Sequence, residues 1–511
     1  MAADRHSELF RAVYDTLVEP PPDALAWAEL EARATEAAPL PVRRRVRWQP
    51  PPELRLVRLA AAAIAALVLI GGMALILTRG SEQTPPVITQ PPVTTVLPTP
   101  STTLPPPTTT PTTVAVTEGP MSWQRASVPG LLPIPTADIA DFGSSMNRVV
   151  GGESGLVAVG VARYALIDPA AGDDAPGWVG AIWRSADGIT WTRLPHDGTI
   201  FGNADVFYEI TDVTVGGPGF VAVGYSLTRE GYDLTSFADG VLFGGLTSDY
   251  QDAAVWVSND GSAWTRVESS SLAGPGLQLA TGVAAGEAGI VAVGQVADGG
   301  AIWISPDGFG WDLVEPAAFA KASIREVVAD QRGFIAVGSI GIRPALWMSP
   351  EGLEWTEHLL EAVEPAGQVR AVTRVDQRLV AAGFVATDLG WNDRVGAIWV
   401  SDDEGSRWTQ LPLLTSPDRK VALTGLGSTP GGLVAIGIVH DAADTDFGHA
   451  AVWFSRDGGA SWSRVADPAS VFGLQDTQWG GARDIVALTD RIVAVGDLGN
   501  DAAAWFGEWT D

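Results

Sequence analysis

An all-β ring of seven four-stranded blades, a β-propeller, is the fold this sequence predicts over residues 120–511. Three observations predict it. One apolar strand core recurs seven times: GLVAVG at Gly155, GFVAVG at Gly219, GIVAVG at Gly289, GFIAVG at Gly333, RLVAAG at Arg378, GLVAIG at Gly432 and RIVAVG at Arg491. Each is followed by a strand ending in Trp, at Trp183, Trp256, Trp303, Trp347, Trp399, Trp453 and Trp505. The shortest spacings, Gly289 to Gly333 and on to Arg378, lie at the ~40–45-residue period of a four-stranded blade.

Each element has a local reason. The strand cores are β-branched and apolar, bounded by Gly. Another apolar stretch precedes each, such as Ile210–Val215 or Arg370–Val375. After six of the seven Trp-ended strands comes a tight turn and a second Trp: Ser185–Trp191, Ser258–Trp264, Ser305–Trp311, Ser349–Trp355, Ser401–Trp408 and Ser455–Trp462. Gly tolerates the left-handed backbone such a turn needs. A Ser hydroxyl and an Asp carboxylate can accept backbone N–H groups inside it. One unit is therefore four strands, A to D, with the turn between C and D. A lone unit cannot bury both faces, whereas a ring of them can. The seventh unit lacks the turn, and Met121–Pro129 reads as an orphan D strand, so the N-terminal strand is expected to complete the last blade.

The turns resemble the Asp-box (BNR) repeat of sialidase-like propellers, S-x-D-x-G-x-x-W. Ser401, Asp403, Gly405, Trp408 and Ser455, Asp457, Gly459, Trp462 match in full. The other four are one residue shorter, with Asp187, Asp260 and Asp307, and with Glu351 in place of Asp. The six acidic residues are read as turn formers, because equivalent positions spread them around a ring. The repeated Trp are read as blade packing rather than a sugar platform.

The resemblance implies glycoside hydrolysis as one function. Sialidases clamp a substrate carboxylate with three Arg and pair a Tyr nucleophile with a Glu, beside an Asp acid. Here Leu132–Pro135 stands where a Phe/Tyr-Arg-Ile-Pro motif is expected, without the Arg. A-strand arginines exist (Arg148, Arg325, Arg370, Arg483), but no pattern assigns them to a triad. Tyr208 beside Glu209 is a weak pair, because strand neighbours point to opposite faces. Such catalytic domains have six blades, against seven here.

Insertions fall mostly between strands B and C, on the face opposite the boxes. Long loops on a rigid scaffold commonly carry binding. Trp178, Tyr225, Tyr232, Tyr250, Trp391 and Asp393 lie in or beside them and are the candidate ligand contacts. An acidic, aromatic surface suits a cationic or carbohydrate ligand.

The rest of the chain sets location. Residues 1–56 read as a cytoplasmic segment with two short helices, Glu8–Leu17 and Ala24–Ala37. Residues 57–79 read as a transmembrane helix, its 20 residues Leu59–Thr78 carrying no charge. Arg43, Arg44, Arg45, Arg47, Arg55 and Arg58 precede it and only Arg79 follows closely, which places the N-terminus inside and the propeller outside. Residues 80–119 read as a disordered Pro/Thr-rich linker. The chain has no Cys, a net charge of −28 and only two Lys, Lys321 and Lys420. Absent cysteines exclude disulfides and thiolate chemistry. Net charge beyond residue 80 is strongly acidic (22 basic, 51 acidic residues), which disfavours nucleic acid. No cofactor or metal motif is present. The high-Ala, low-Lys composition is that of a GC-rich bacterium. The sequence thus reads as a non-catalytic binding or scaffold module for a glycan, peptide or protein at the cell surface, with a sialidase-like hydrolase and a sensor signalling through residues 1–56 as alternatives.

Overall fold

The computed structural model describes residues 112–113, 116–117, 121–128, 139–167, 174–203, 205–228, 251–274, 276–297, 299–314, 316–362, 364, 366–386, 393–415, 419–441, 448–467, 471–472, 480–499 and 501–509. Within them lie seven sheets, each built on an antiparallel set of four strands. The expected cytoplasmic helices and the expected span lie outside the described residues. No helix among the described residues is long and apolar enough to cross a membrane.

Blade 1 shows the pattern: A is Ile139–Gly152, B Gly155–Ile167, C Asp174–Ser185 and D Trp191–Arg193. Its B and C strands stay paired out to Ile167 and Asp174. The B–C insertion of blade 1 is thus largely an extended hairpin rather than a loop. Blades 2 to 6 repeat A-B-C-D in sequence order. Blade 7 consists of Gly480–Ala487, Arg491–Leu498, Asp501–Trp509 and, as its fourth strand, Met121–Arg125. The ring therefore closes with the N-terminal strand, as expected.

The N-terminal segment does more than close the ring. Two dipeptides of the stretch expected to be disordered form strands. Thr112–Thr113 pairs in parallel with Leu414–Thr415 of blade 5, and Val116–Thr117 with Arg464–Val465 of blade 6. Outer edges offer unpaired backbone groups, and β-branched Thr and Val suit them.

The core is divided by the ring. Seven apolar clusters occupy the seven blade junctions. Each C-strand Trp is at most 2% exposed and faces the preceding blade. Burying so large a side chain removes ~150–250 Å² from water, about 4–6 kcal/mol of transfer free energy. Its indole still needs an acceptor. Trp256 Nε1 donates to Ile200 O (2.8 Å), Trp303 to Ser271 O (2.9 Å) and Trp347 to Ala318 O (3.0 Å), each in the segment leading into its own blade.

The turns behave as their chemistry predicts. In blade 1 the Ser185 hydroxyl accepts Gly188 N–H (2.8 Å), and Asp187 accepts Ile189 and Thr190 N–H. The Trp191 indole donates to Gly188 O (3.1 Å). Gly188 has φ +76°, and a Cβ there would stand 2.4 Å from Val493. The Thr190 and Ile189 amides hold the Asp187 carboxyl below its ordinary range. Asp260, Asp307, Asp403 and Asp457 accept turn amides in the same way. Glu351 makes no such bond, although Ser349 still accepts Gly352 N–H (2.8 Å).

Candidate functional site: the central channel

The A strands line the channel, and each carries a β-bulge near its middle. The bulged residues are Asn147, Thr211, Thr281, Arg325, Arg370, Thr424 and Arg483 in blades 1 to 7. Residues before the bulge lie toward the face of the B–C loops, and those after it toward the face of the Ser–Asp turns. The bulge therefore divides the channel into two halves.

The half toward the turns is occupied by Arg148. Its guanidinium, 13% exposed, forms ion pairs with Glu326 of blade 4 (3.1 Å), Asp484 of blade 7 (3.3 Å) and Asp212 of blade 2 (3.7 Å). Burial opposes its charge, but the three carboxylates together raise its pKa. The carboxylates also reach the backbone of the next blade: Asp212 accepts Val283 N–H (2.8 Å) and Asp484 accepts Val149 N–H (2.8 Å). One cation cannot balance three anions. Burial pushes Glu326 up to about 7 and Asp212 up to about 6, against the pull of Arg148 in both cases. Below this cluster Arg374 Nε donates to Asp330 (2.5 Å). A cavity of about 350 Å³ lies here, lined by Arg148, Asp212, Glu326, Asp330, Arg374 and Asp484.

The half toward the B–C loops has a different character. On blade 2 the Tyr225 hydroxyl donates to Glu209 (2.8 Å), and Asn147 Nδ2 of blade 1 donates to the other carboxylate oxygen (3.2 Å). Burial, and then the Glu209 charge, raise the Tyr225 phenol well above its ordinary value. On blade 5 the Phe384 ring carries two guanidinium groups, Arg370 at 5.5 Å and Arg394 at 5.7 Å from its centroid. Cation–π contact favours each despite their like charge. Burial, with Arg325, Arg394, Arg148 and Arg483, lowers Arg370 to about 9. His440, at the end of the blade 6 B strand, is lowered to about 4 by burial and by Arg394 and Lys420.

These positions revise the expected contacts. Tyr225 lies in the channel-facing network, and its partner Glu209 pairs with it rather than with Tyr208. Tyr208 instead packs edge-on against Trp256 (5.5 Å) and beneath Arg266. The two tyrosines separate because Tyr208 and Glu209 are strand neighbours, whereas Glu209 and Tyr225 are cross-strand partners. Trp178 is half-buried against Phe207 (5.0 Å), part of the blade 7–1 cluster rather than an open platform. Asp393 precedes Arg394 and is half-buried. Tyr232, Tyr250 and Trp391 lie outside the described residues. Phe384 and Arg394 were missed because neither residue type recurs from blade to blade.

Among the described residues no group of His, Asp or Glu could hold a metal ion. No protein-family profile matches the chain. No curated protein matches it. Solved structures match in fold. A protein of unknown function from Dyadobacter fermentans is 14% identical, over 73% of this chain and 100% of that one, with a TM-score of 0.39. A Trypanosoma rangeli sialidase mutant with trans-sialidase activity is 12% identical, over 78% of this chain and 59% of that one, at 0.38. The phage phi92 endosialidase is 11% identical, over 76% and 69%, at 0.40. At these identities the likeness concerns the fold and carries no activity with it.

Proposed function

We propose that this chain is a membrane-anchored, extracytoplasmic member of the Asp-box propellers, a non-catalytic module that binds a glycan, peptide or protein at the channel mouth on the B–C face. One observation carries the reading. The B–C half of the channel holds two polar networks outside the repeat pattern, Asn147, Glu209 and Tyr225 on blades 1 and 2, and Arg370 and Arg394 over the Phe384 ring of blade 5. Polar groups clustered beside an aromatic ring are the usual makings of a ligand site. Glycan and peptide arrays probed with the full chain in detergent test it. Selective binding that Tyr225→Phe or Arg394→Ala abolishes is expected; binding unchanged in both variants refutes the location.

Hydrolysis is the second reading, favoured by the Tyr225–Glu209 hydrogen bond. The direction of the Tyr225 shift weighs against it, because a phenol held protonated is a poor nucleophile. Release of product from a sialoside by the wild type, lost in Tyr225→Phe, would establish it. Topology is tested by proteolysis of intact cells: cleavage in residues 80–119 with residues 1–56 protected is expected. Capture of a cytoplasmic protein by residues 1–56, dependent on the span, would make the chain a sensor.

A further inference from the structure

The N-terminal segment follows the outer rim of the ring as a belt. Thr112–Thr113 pairs in parallel with Leu414–Thr415, which extends the D edge of blade 5. Val116–Thr117 pairs in parallel with Arg464–Val465 of blade 6. Met121–Arg125 is then the fourth strand of blade 7. Ser127 goes on to blade 1: its N–H donates to Ile189 O (2.7 Å) and its O accepts Trp191 N–H (2.9 Å), a parallel bridge opposite Thr190. Residues 112–127 thus visit four consecutive blades in order. Sheet twist explains why one segment can do so. Successive strands rotate by roughly 20–25°, so the fourth lies about 60–75° from the first. With the A strands along the channel, the D strands lie across the rim, and a chain that follows the rim meets each of them in parallel.

Three blades lack such a partner. The D strands Thr265–Val267, Asp312–Val314 and Thr356–Leu359 of blades 2, 3 and 4 are edge strands, and no further strand pairs with them among the described residues. A charge on an open edge guards it against another edge, and Arg266, Asp312 and Glu357 supply one here. Such a charge does not bar an uncharged strand, since Arg464 stands opposite Val116 on the blade 6 edge. Residues 87–111 of the same chain have the required chemistry. They hold no charged residue and three proline-free, β-branched runs of four or five residues: Val87–Gln90, Val93–Leu97 and Ser101–Leu104. The prolines between the runs cannot donate to a ladder, so each run is a separate unit. The steps from Gln90 to Val93, Leu97 to Ser101 and Leu104 to Thr112 cover three, four and eight residues. The step from Thr113 on blade 5 to Val116 on blade 6 covers three. Each spacer is therefore at least as long as the step already seen between neighbouring edges.

We infer that the open D edges of blades 4, 3 and 2 are the docking surface for this chain's own residues 87–104, with Ser101–Leu104 on blade 4, Val93–Leu97 on blade 3 and Val87–Gln90 on blade 2. The occupant follows from continuity: the belt already seated on blades 5 and 6 leads back, residue by residue, into these runs. Each run adds only a few backbone hydrogen bonds, set against the entropy of ordering the chain, so the winding is reversible. It also sets the reach of the linker. Unwound, residues 81–118 span on the order of 100 Å, whereas a wound belt leaves only the residues before Val87 to do so. The inference concerns the rim and stands apart from the channel reading. Only the consequence for reach needs a membrane anchor, which proteolysis of intact cells tests separately.

Cysteine cross-linking of the full chain in detergent tests this cleanly, because the chain has no Cys of its own. Thr113→Cys with Thr415→Cys, Cα partners in the belt, is the positive control. Glu357→Cys is combined with Thr102→Cys or Thr103→Cys, and Asp312→Cys with Thr94→Cys or Thr95→Cys. Neighbouring positions cover both faces of a strand. Glu153→Cys, exposed in the A–B turn of blade 1, combined with Thr103→Cys, measures random collision of a tethered chain. Mild oxidation is expected to close disulfides within one chain at both edges, at least tenfold faster than in the collision control. Val93→Pro together with Val96→Pro should remove the blade 3 link and leave the blade 4 link, because proline withdraws ladder donors. Rates at the collision level at both edges overturn the inference, and so does a blade 3 link that survives the two prolines. Links formed only between two copies also overturn it and assign the edges to a neighbour's linker. Failure of the positive control removes the belt and the inference with it.

Discussion

Replacing Glu326 with Gln should make the ring's stability less sensitive to alkali. Glu326 is 14% exposed and shares Arg148 with Asp212 and Asp484, so its charge is incompletely neutralised. Its pKa in the folded ring is about 7 against an ordinary 4.5. A carboxyl raised in the native state binds more protons folded than unfolded between those values. Stability from this group is therefore greatest at low pH and falls as pH rises from about 4.5 toward 7. The whole gap is worth on the order of 3 kcal/mol, of which about 2–3 kcal/mol is lost between pH 5 and pH 8. For roughly 390 residues, an unfolding entropy near 0.8 kcal/mol per degree turns this into about 3 °C. Gln cannot ionise. The difference in Tm, variant minus wild type, should thus be about 3 °C more positive at pH 8 than at pH 5. His440, lowered to about 4, pulls the other way, since its stability contribution is present at neutral pH and lost in acid. It is common to both proteins and cancels in the difference. Calorimetry of both proteins at the two pH values decides the matter. A difference independent of pH, or one that favours the wild type at pH 8, would mean that Arg148 outweighs burial and would refute the reasoning.

Three further outcomes follow from the packing and the turns. Glu351→Asp should stabilise the ring by about 1 kcal/mol by supplying the turn acceptor that the five Asp-containing boxes have, read as a rise in denaturation midpoint. Thr281→Val keeps the shape but removes the bond to Ile324 O, so chemical denaturation should show a loss of about 1–2 kcal/mol. Trp123→Ala removes the closing strand's contact with Phe472, at 5.4 Å, and should cost about 3–5 kcal/mol in the same assay.

What the sequence made legible was whatever repeats. The Gly-apolar-Gly strand core, the C-strand Trp and the box turn recur because each blade meets the same neighbours, so period alone located strands, turns and closure. Blade closure was readable because WQR at Trp123 has the form of a D strand, and its partner Trp505–Trp509 stood without one. The Tyr225–Glu209 pair was hidden for the opposite reason. Its members are 16 residues apart and meet only through the A–B register of one blade. The Arg370–Phe384–Arg394 stack is equally non-local, since Phe384 ends a B strand and Arg394 precedes a C strand. Trp178 stands on a strand where an insertion implies a loop, because the backbone stays paired from Arg163–Trp178 to Ile167–Asp174.

The same contrast locates function within a repeat fold. A residue type that recurs around the ring serves the ring, because the ring is what the blades have in common; the six boxes and the seven buried C-strand Trp belong here. A residue that breaks the pattern at an equivalent position forgoes a bond its counterparts make. Arg325 and Arg370 forgo the cross-blade hydrogen bonds that Thr211, Thr281 and Thr424 keep, at a cost of about 1 kcal/mol each. Arg148 departs too, but three carboxylates from three blades answer it, so its departure closes on itself inside the protein. Arg370 instead lays its guanidinium over the Phe384 ring of its own blade (5.5 Å), a contact that does nothing for the junction with the next.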